Sequence, residues 1–262
     1  MIKNIILCPS SAGQKKYGVK KFPMFIKKYI KNEFNVKKVN IFDNNIFNNN
    51  LKIYNECFKY KKFISIGGDH SISIGTGASS LNKFKNTKFI WIDAHADINT
   101  YEESKTKNYH GMPLAYLTGL DESKSFPFIK NLLPLNNICY IGLRDIDKFE
   151  SNIINKYKIN NISYENFNHI DSYKILKKFI DNSPVHISFD VDSIDPKYIS
   201  STGTIVKNGL TPNKVKNLIE MLIKKENIIG LDIVEMNMEI NKHQYNKSLN
   251  NFKYIFSDIF KE

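Results

Sequence analysis

The run Lys88-Phe89-Ile90-Trp91-Ile92-Asp93-Ala94-His95-Ala96-Asp97 is apolar from Phe89 to Ile92, then sets three potential metal ligands at alternate positions. A nearly continuous apolar run of this length fits a strand buried on both faces, as in a parallel sheet covered by helices. Such sheets bind ligands beyond the carboxyl ends of their strands, where these polar residues fall. The arrangement recurs along the chain. Gly67-Gly68-Asp69-His70 and Ser188-Phe189-Asp190-Val191-Asp192 end two further apolar runs, and Arg144 and Glu235 follow two more.

Working outward, strands are predicted at Asn4–Cys8, Val36–Phe42, Phe63–Ile66, Lys88–Asp93, Asn137–Ile141, Asn161–Tyr164, Val185–Asp190 and Ile228–Val234. Helical periodicity fits Phe22–Asn32, Ser71–Phe84, Phe149–Tyr157, Ser172–Asn182, Pro212–Lys225 and Tyr245–Phe260, with Thr211 as an N-cap before proline. The asparagine-rich stretch Asn44–Asn50 reads as a surface loop. This alternation predicts a three-layer α/β/α sandwich with a mostly parallel, roughly eight-stranded sheet. With no internal repeat, linker or break in composition, residues 1–262 read as one domain.

Composition narrows the function classes. The formal charge is +12, but Arg144 is the only arginine and the remaining basic residues are lysine. Arginine is the usual bidentate reader of phosphates and bases, so nucleic acid is not the expected partner. The lysine, asparagine and isoleucine content reads as the coding bias of an AT-rich genome. No apolar run approaches the ~20 residues that span a bilayer. The apolar run at the amino terminus is too short for a signal peptide. Cys8, Cys57 and Cys139 lack CxxC spacing, and a reducing cytoplasm is expected.

Chemistry concentrates in six side chains: His70, Asp93, His95, Asp97, Asp190 and Asp192. Alternate residues of a locally extended chain share a side, so Asp93-x-His95-x-Asp97 and Asp190-x-Asp192 can each face one site. Clustered carboxylates repel one another unless cations neutralise them. Four carboxylates and two imidazoles exceed one tetrahedral zinc and suit two divalent ions bridged by carboxylates. Oxygen-rich ligation favours Mn²⁺. Metal coordination brings a water pKa from 15.7 to about 7, which would supply hydroxide at neutral pH. Taken singly, these residues have plainer readings: a histidine after a strand is more often structural, Asp69 fits a turn or outer carboxylate, and His186 within a strand reads as a satisfied core histidine.

Together the segments resemble the ureohydrolases, and among them the arginases most closely. The matching stretches are Gly67-Gly68-Asp69-His70-Ser71, Asp93-Ala94-His95-Ala96-Asp97-Ile98-Asn99-Thr100, His110-Gly111-Met112-Pro113, Gly142-Leu143-Arg144-Asp145-Ile146-Asp147, Ser188-Phe189-Asp190-Val191-Asp192-Ser193-Ile194-Asp195-Pro196 and Asp232-Ile233-Val234-Glu235. They cover residues 5 to 240 in order. The resemblance implies that His70, Asp93, Asp97 and Asp190 hold one Mn²⁺ while His95, Asp93, Asp190 and Asp192 hold a second, giving two per subunit. It implies attack of a bridging hydroxide, oriented by Asp97, on the guanidinium carbon of L-arginine, yielding L-ornithine and urea. Glu235 would hold the guanidinium, and His110 would shuttle a proton to the leaving amine. Asn99, Ser104 and Thr106 would bind the substrate α-carboxylate, Asp147 and Glu150 the α-ammonium, while Arg144 and Asp145 brace the site. A homo-oligomer, trimer or hexamer, is implied as well.

Lys107 and Met238 stand where the family often has glycine and proline. Competing readings are a ureohydrolase for agmatine or formiminoglutamate, a catalytically silent binding protein of the same fold, and a one-zinc deacetylase on a similar scaffold.

Overall fold

The computed structural model describes residues 2–41, 44–165 and 167–261. Its eight strands are β1 (Asn4–Cys8), β2 (Asn35–Lys38), β3 (Phe63–Gly67), β4 (Lys88–Ile92), β5 (Ile138–Ile141), β6 (Asn160–Ile162), β7 (Val185–Asp190) and β8 (Ile228–Val234). They form one sheet in the order β2-β1-β3-β8-β7-β4-β5-β6. Every pairing is parallel, as the apolar runs predict.

Alternation along each strand sends side chains to two helical layers. Ile90 and Ile92 of β4 join a core with Phe22, Leu176, Leu218 and Phe252. These belong to α1 (Phe22–Ile26), α6 (His169–Ile180), α7 (Pro212–Lys225) and α8 (Tyr245–Ile255). Phe89 and Trp91 of the same strand point the other way, packing with Tyr54, Ile74, Leu117 and Ile153. Those lie on α2 (Ile46–Cys57), α3 (Ser73–Lys83), α4 (Pro113–Thr118) and α5 (Lys148–Tyr157). The strand is buried on both faces because each face has its own helical layer. No helix among the described residues is long and apolar enough to cross a membrane.

Some boundaries differ from the sequence reading. The asparagine-rich stretch is the start of α2 and not a loop. Asn45 accepts a hydrogen bond from the Asn48 backbone as N-cap. Asn49 and Asn50 are buried, and Asn50 Oδ1 accepts from Gly75 N at 2.9 Å, docking α2 onto α3. These asparagines are interior staples. The strand expected at Val36–Phe42 ends at Lys38, and Phe42 lies outside the described residues. The helix expected to reach Asn32 becomes a 3₁₀ turn at Lys27–Tyr29. The last helix stops at Ile255. Thr211 occupies the N-cap position before Pro212 but makes no side-chain cap bond.

Candidate metal centre

The candidate ligands leave the carboxyl ends of three central strands. His70 opens a turn after β3, Asp93 to Asp97 follow β4, and Asp190 ends β7 with Asp192 just beyond. Gly68 makes the first of these turns possible, since a β-carbon there would drive into the Ser10 carbonyl.

His70 Nδ1 lies 3.1 Å from Asp93 Oδ2, 2.8 Å from Asp97 Oδ2 and 3.3 Å from Asp190 Oδ2. Despite these distances His70 Nδ1 and Asp93 Oδ2 are buried without a hydrogen-bond partner. Proximity without hydrogen-bond geometry means that the donor atoms converge on a common point. That is what a cation requires and what an N–H···O pair does not. His95 Nδ1 lies 3.5 Å from Asp93 Oδ1 and 3.2 Å from Asp192 Oδ2. Two ligand groups result, His70–Asp93–Asp97 and Asp93–His95–Asp192, each with its donor atoms within 4.8 Å of one another. Asp93 offers one oxygen to each group, the disposition of a bridging carboxylate, so the residues present fit two divalent cations.

Electrostatics agree with that reading. Burial and then the Asp93 charge push the Asp97 carboxyl up to about 6. Burial and then the Asp192 and Asp93 charges raise Asp190. Burial opposes charging of the imidazoles, yet Asp97 foremost holds His70, and Asp192 holds His95, well above the ordinary range. Without cations, the cluster balances its carboxylates by binding protons.

A cleft of about 160 Å³ opens onto this cluster, lined by His70, His95, Asp97, Asp190 and Asp192 at one end. Its other walls carry Asn99, Ser104, Thr106, Asn108, His110, Glu150 and Thr204. Asn99 donates its amide to Asp147 Oδ2, and its own Oδ1 is buried without a partner. Asp147 does not line the cleft; it caps α5 in a reciprocal capping box with Glu150. Burial, then the Asp97 and Asp147 charges, push Glu150 up to about 8. Arg144 donates to the carbonyls of Gly142, Asp192, Ser193, Val206 and Lys207, tying down the loop that carries Asp192. Asp145 Oδ2 stands 3.6 Å from His95 Nε2. Asp69 accepts from Ser71 N and Gly13 N, a turn role.

Glu235 is 2% exposed and is not among the residues that line the cleft. Its Oε1 accepts from His70 N at 2.8 Å and lies 3.3 Å from His110 Nδ1. Gln14 Nε2 donates to both carboxylate oxygens, at 2.8 and 2.7 Å. The fork of the carboxylate is therefore taken by Gln14, which leaves little room for a guanidinium to bind it at two points. Oε1 has three neighbours and Oε2 one, so Oε2 keeps capacity for a further donor. Against burial, His110 and the His70 amide hold Glu235 below the usual carboxylate range, and Glu235 raises His110. Asp97 (φ 50°) and Glu235 (φ 69°) both sit in the left-handed backbone region. Such residues cost about 1 kcal/mol or more and persist where surrounding contacts over-determine them.

Gln14, Asn108 and Thr204 escaped the sequence reading. Thr204 donates to Asp192 Oδ2 at 2.7 Å. Gln14 follows β1, so the strand-end rule could have flagged it; Asn108 and Thr204 sit on loops with no comparable signal. Lys107 has φ 58°, which explains why glycine suits this position, and its ammonium binds the carbonyls of Tyr101 and Glu102.

Fold and site together define a parallel α/β protein with paired carboxylate–imidazole groups suited to divalent cations. The arginase family model matches residues 8–257. The chain belongs to that family. It is 38% identical to the arginase of Plasmodium berghei over 220 residues, covering 78% of this chain and 60% of that one. It is 34% identical to the arginase of Coccidioides posadasii over 230 residues, or 81% and 70% of the two chains. Several curated relatives are longer: the chain spans 57% of the Glaciozyma antarctica arginase and 47% of the Eremothecium gossypii one. Among solved structures, the Entamoeba histolytica arginase in complex with L-ornithine superposes with a TM-score of 0.89 at 28% identity, covering 98% of this chain and 99% of that one.

Proposed function

We propose that this chain hydrolyses the guanidinium group of L-arginine to L-ornithine and urea with two Mn²⁺ ions per subunit. The observation that carries the reading is the shared position of Asp93 between the two ligand groups. His70, Asp93, Asp97 and Asp190 would hold one ion, and His95, Asp93, Asp190 and Asp192 the other. When bound, such a pair supplies hydroxide from water at neutral pH.

The remaining steps belong to side chains. Glu235 provides a fixed buried negative charge for the guanidinium, through Oε2. Asp97 orients the nucleophile. His110, whose hold on a proton Glu235 strengthens, would donate that proton to the leaving amine as C–N cleavage releases ornithine. The hydroxyls of Ser104 and Thr106 with the amides of Asn99 and Asn108 suit an α-carboxylate. Glu150 suits the α-ammonium, whose charge would draw its carboxyl down from about 8. Asp147 acts on substrate only through Asn99. The three buried thiols fit a reducing cytoplasm, and the family resemblance favours a homo-oligomer.

The test is product release from arginine, agmatine and formiminoglutamate with added Mn²⁺. Arginine is expected to be preferred by about 10²-fold or more over agmatine, because the carboxylate donors would otherwise be left unpaired. Equal turnover of agmatine would overturn the assignment of the polar rim, and no turnover of any of the three would favour a silent binding protein.

Cation binding should release protons. Imidazoles held well above their ordinary range and the Asp97 carboxyl near 6 must shed them to become ligands. The sign follows: affinity for Mn²⁺ falls as pH falls, and about two protons are released per protein at pH 7. Calorimetry in buffers of different ionisation enthalpy measures this, and a binding enthalpy indifferent to buffer would contradict it.

A further inference from the structure

Asp232 sits in the middle of β8, fully buried, in an otherwise apolar strand, and the reaction above gives it no part. Its carboxylate is surrounded by donors. Ser65 Oγ donates to Oδ1; Ser73 Oγ at 2.7 Å, Thr76 Oγ1 at 2.6 Å and His186 Nε2 at 3.1 Å reach Oδ2. An ionised carboxylate only accepts, so each of these groups must point its hydrogen inward. From there a chain of hydroxyls runs toward the metal centre. Ser73 Oγ lies 3.4 Å from Ser188 Oγ, and Ser188 Oγ lies 2.7 Å from His70 Nε2.

The directions along this chain follow one from another. Ser73 could give its single hydrogen to Asp232 at 2.7 Å or to Ser188 at 3.4 Å. The shorter, charge-assisted bond is roughly twice as strong as a neutral one and wins. Ser73 can then only accept from Ser188. With Ser73 open only as an acceptor, Ser188 can give it its hydrogen and accept from His70 Nε2–H at 2.7 Å, the arrangement that uses the acceptor Ser73 has left. A neutral imidazole with Nε2–H has its lone pair on Nδ1, the atom that faces Asp93, Asp97 and Asp190. Trp91 stacks on the ring at 4.4 Å and 7°, fixing its plane, so only the tautomer remained to be set.

We propose that Asp232 is a positioning residue for the metal centre, fixing the tautomer of His70 through Ser73 and Ser188. The inference rests on the two-cation reading, although it is independent of the substrate. The relay also explains why a charge is retained in an apolar strand. Partners that hold a ligand histidine in one tautomer typically contribute 10- to 100-fold in metal affinity.

The test is Mn²⁺ titration of the full chain by electron paramagnetic resonance, comparing Asp232→Asn, Ser73→Ala and Ser73→Thr. Asp232→Asn places an amide donor against the hydroxyls; should it fail to fold, Ser73→Ala breaks the same relay with a smaller change. In Ser73→Ala we expect one of the two ions to weaken by about 10- to 100-fold. The ion held by His95 should be retained, and the coupled-pair spectrum should give way to that of a single ion. Ser73→Thr keeps the hydroxyl and should restore both, which loss of packing alone would not predict. Parental affinity for both ions in Ser73→Ala and Asp232→Asn would overturn the relay. If Asp93→Ala also binds both ions normally, the two-cation reading itself falls.

Discussion

Asp93→Ala should lower urea release by roughly 10³-fold or more, because the proposed chemistry depends on water ionised by cations that this variant would no longer hold. Asp93 is fully buried and is shared by the two ligand groups, so its loss disturbs both cations of the proposed pair. Manganese content, measured by atomic emission, should drop from about two ions to one or fewer per chain. Circular dichroism should retain the helical signal, since the side chain leaves β4 at its end and its strand pairing is made by backbone. Undiminished turnover with two ions still bound would remove the bridging role.

Glu235→Gln is the complementary experiment, taking away charge while keeping shape. Breaking one side of a buried charge pair costs about 2–5 kcal/mol, so kcat/KM for arginine should fall by roughly 10² to 10³. Metal content should stay at the parental level, because Glu235 belongs to neither ligand group. The pH profile should move too. Glu235 holds His110 above its ordinary range. Without that charge His110 loses its proton at lower pH, and the alkaline limb of the rate profile shifts down. Loss of manganese from this variant, or an unmoved alkaline limb, would count against the assignment.

The fold was legible where burial dictates composition. Strands covered on both faces are mostly apolar, and β4, β7 and β8 announce themselves in that way. β4 runs into Asp93-x-His95-x-Asp97 and β7 into Asp190-x-Asp192, so the centre could be read with the sheet. α2 was illegible because asparagine ordinarily means a turn; here Asn49 and Asn50 are held inside the protein by hydrogen bonds to partners distant in sequence. Gln14 was missed for a related reason, since its importance lies in facing Glu235, 221 positions away. Asp232 was visible within a motif, but its role depends on hydroxyls contributed by β7 and α3. Residues that act on substrate or metal carry a chemical signature, whereas those that act through another residue acquire one only in three dimensions.

The sheet order bears on how a ribosome could deliver this protein. β8, made last among the strands, is inserted between β3 and β7. Until residues 228–234 emerge, the nascent polypeptide holds two incomplete sheets, each with an open inner edge able to pair with a stranger. Vectorial synthesis therefore leaves the central seam for late closure, and a cell overproducing this chain would need chaperones most during that interval.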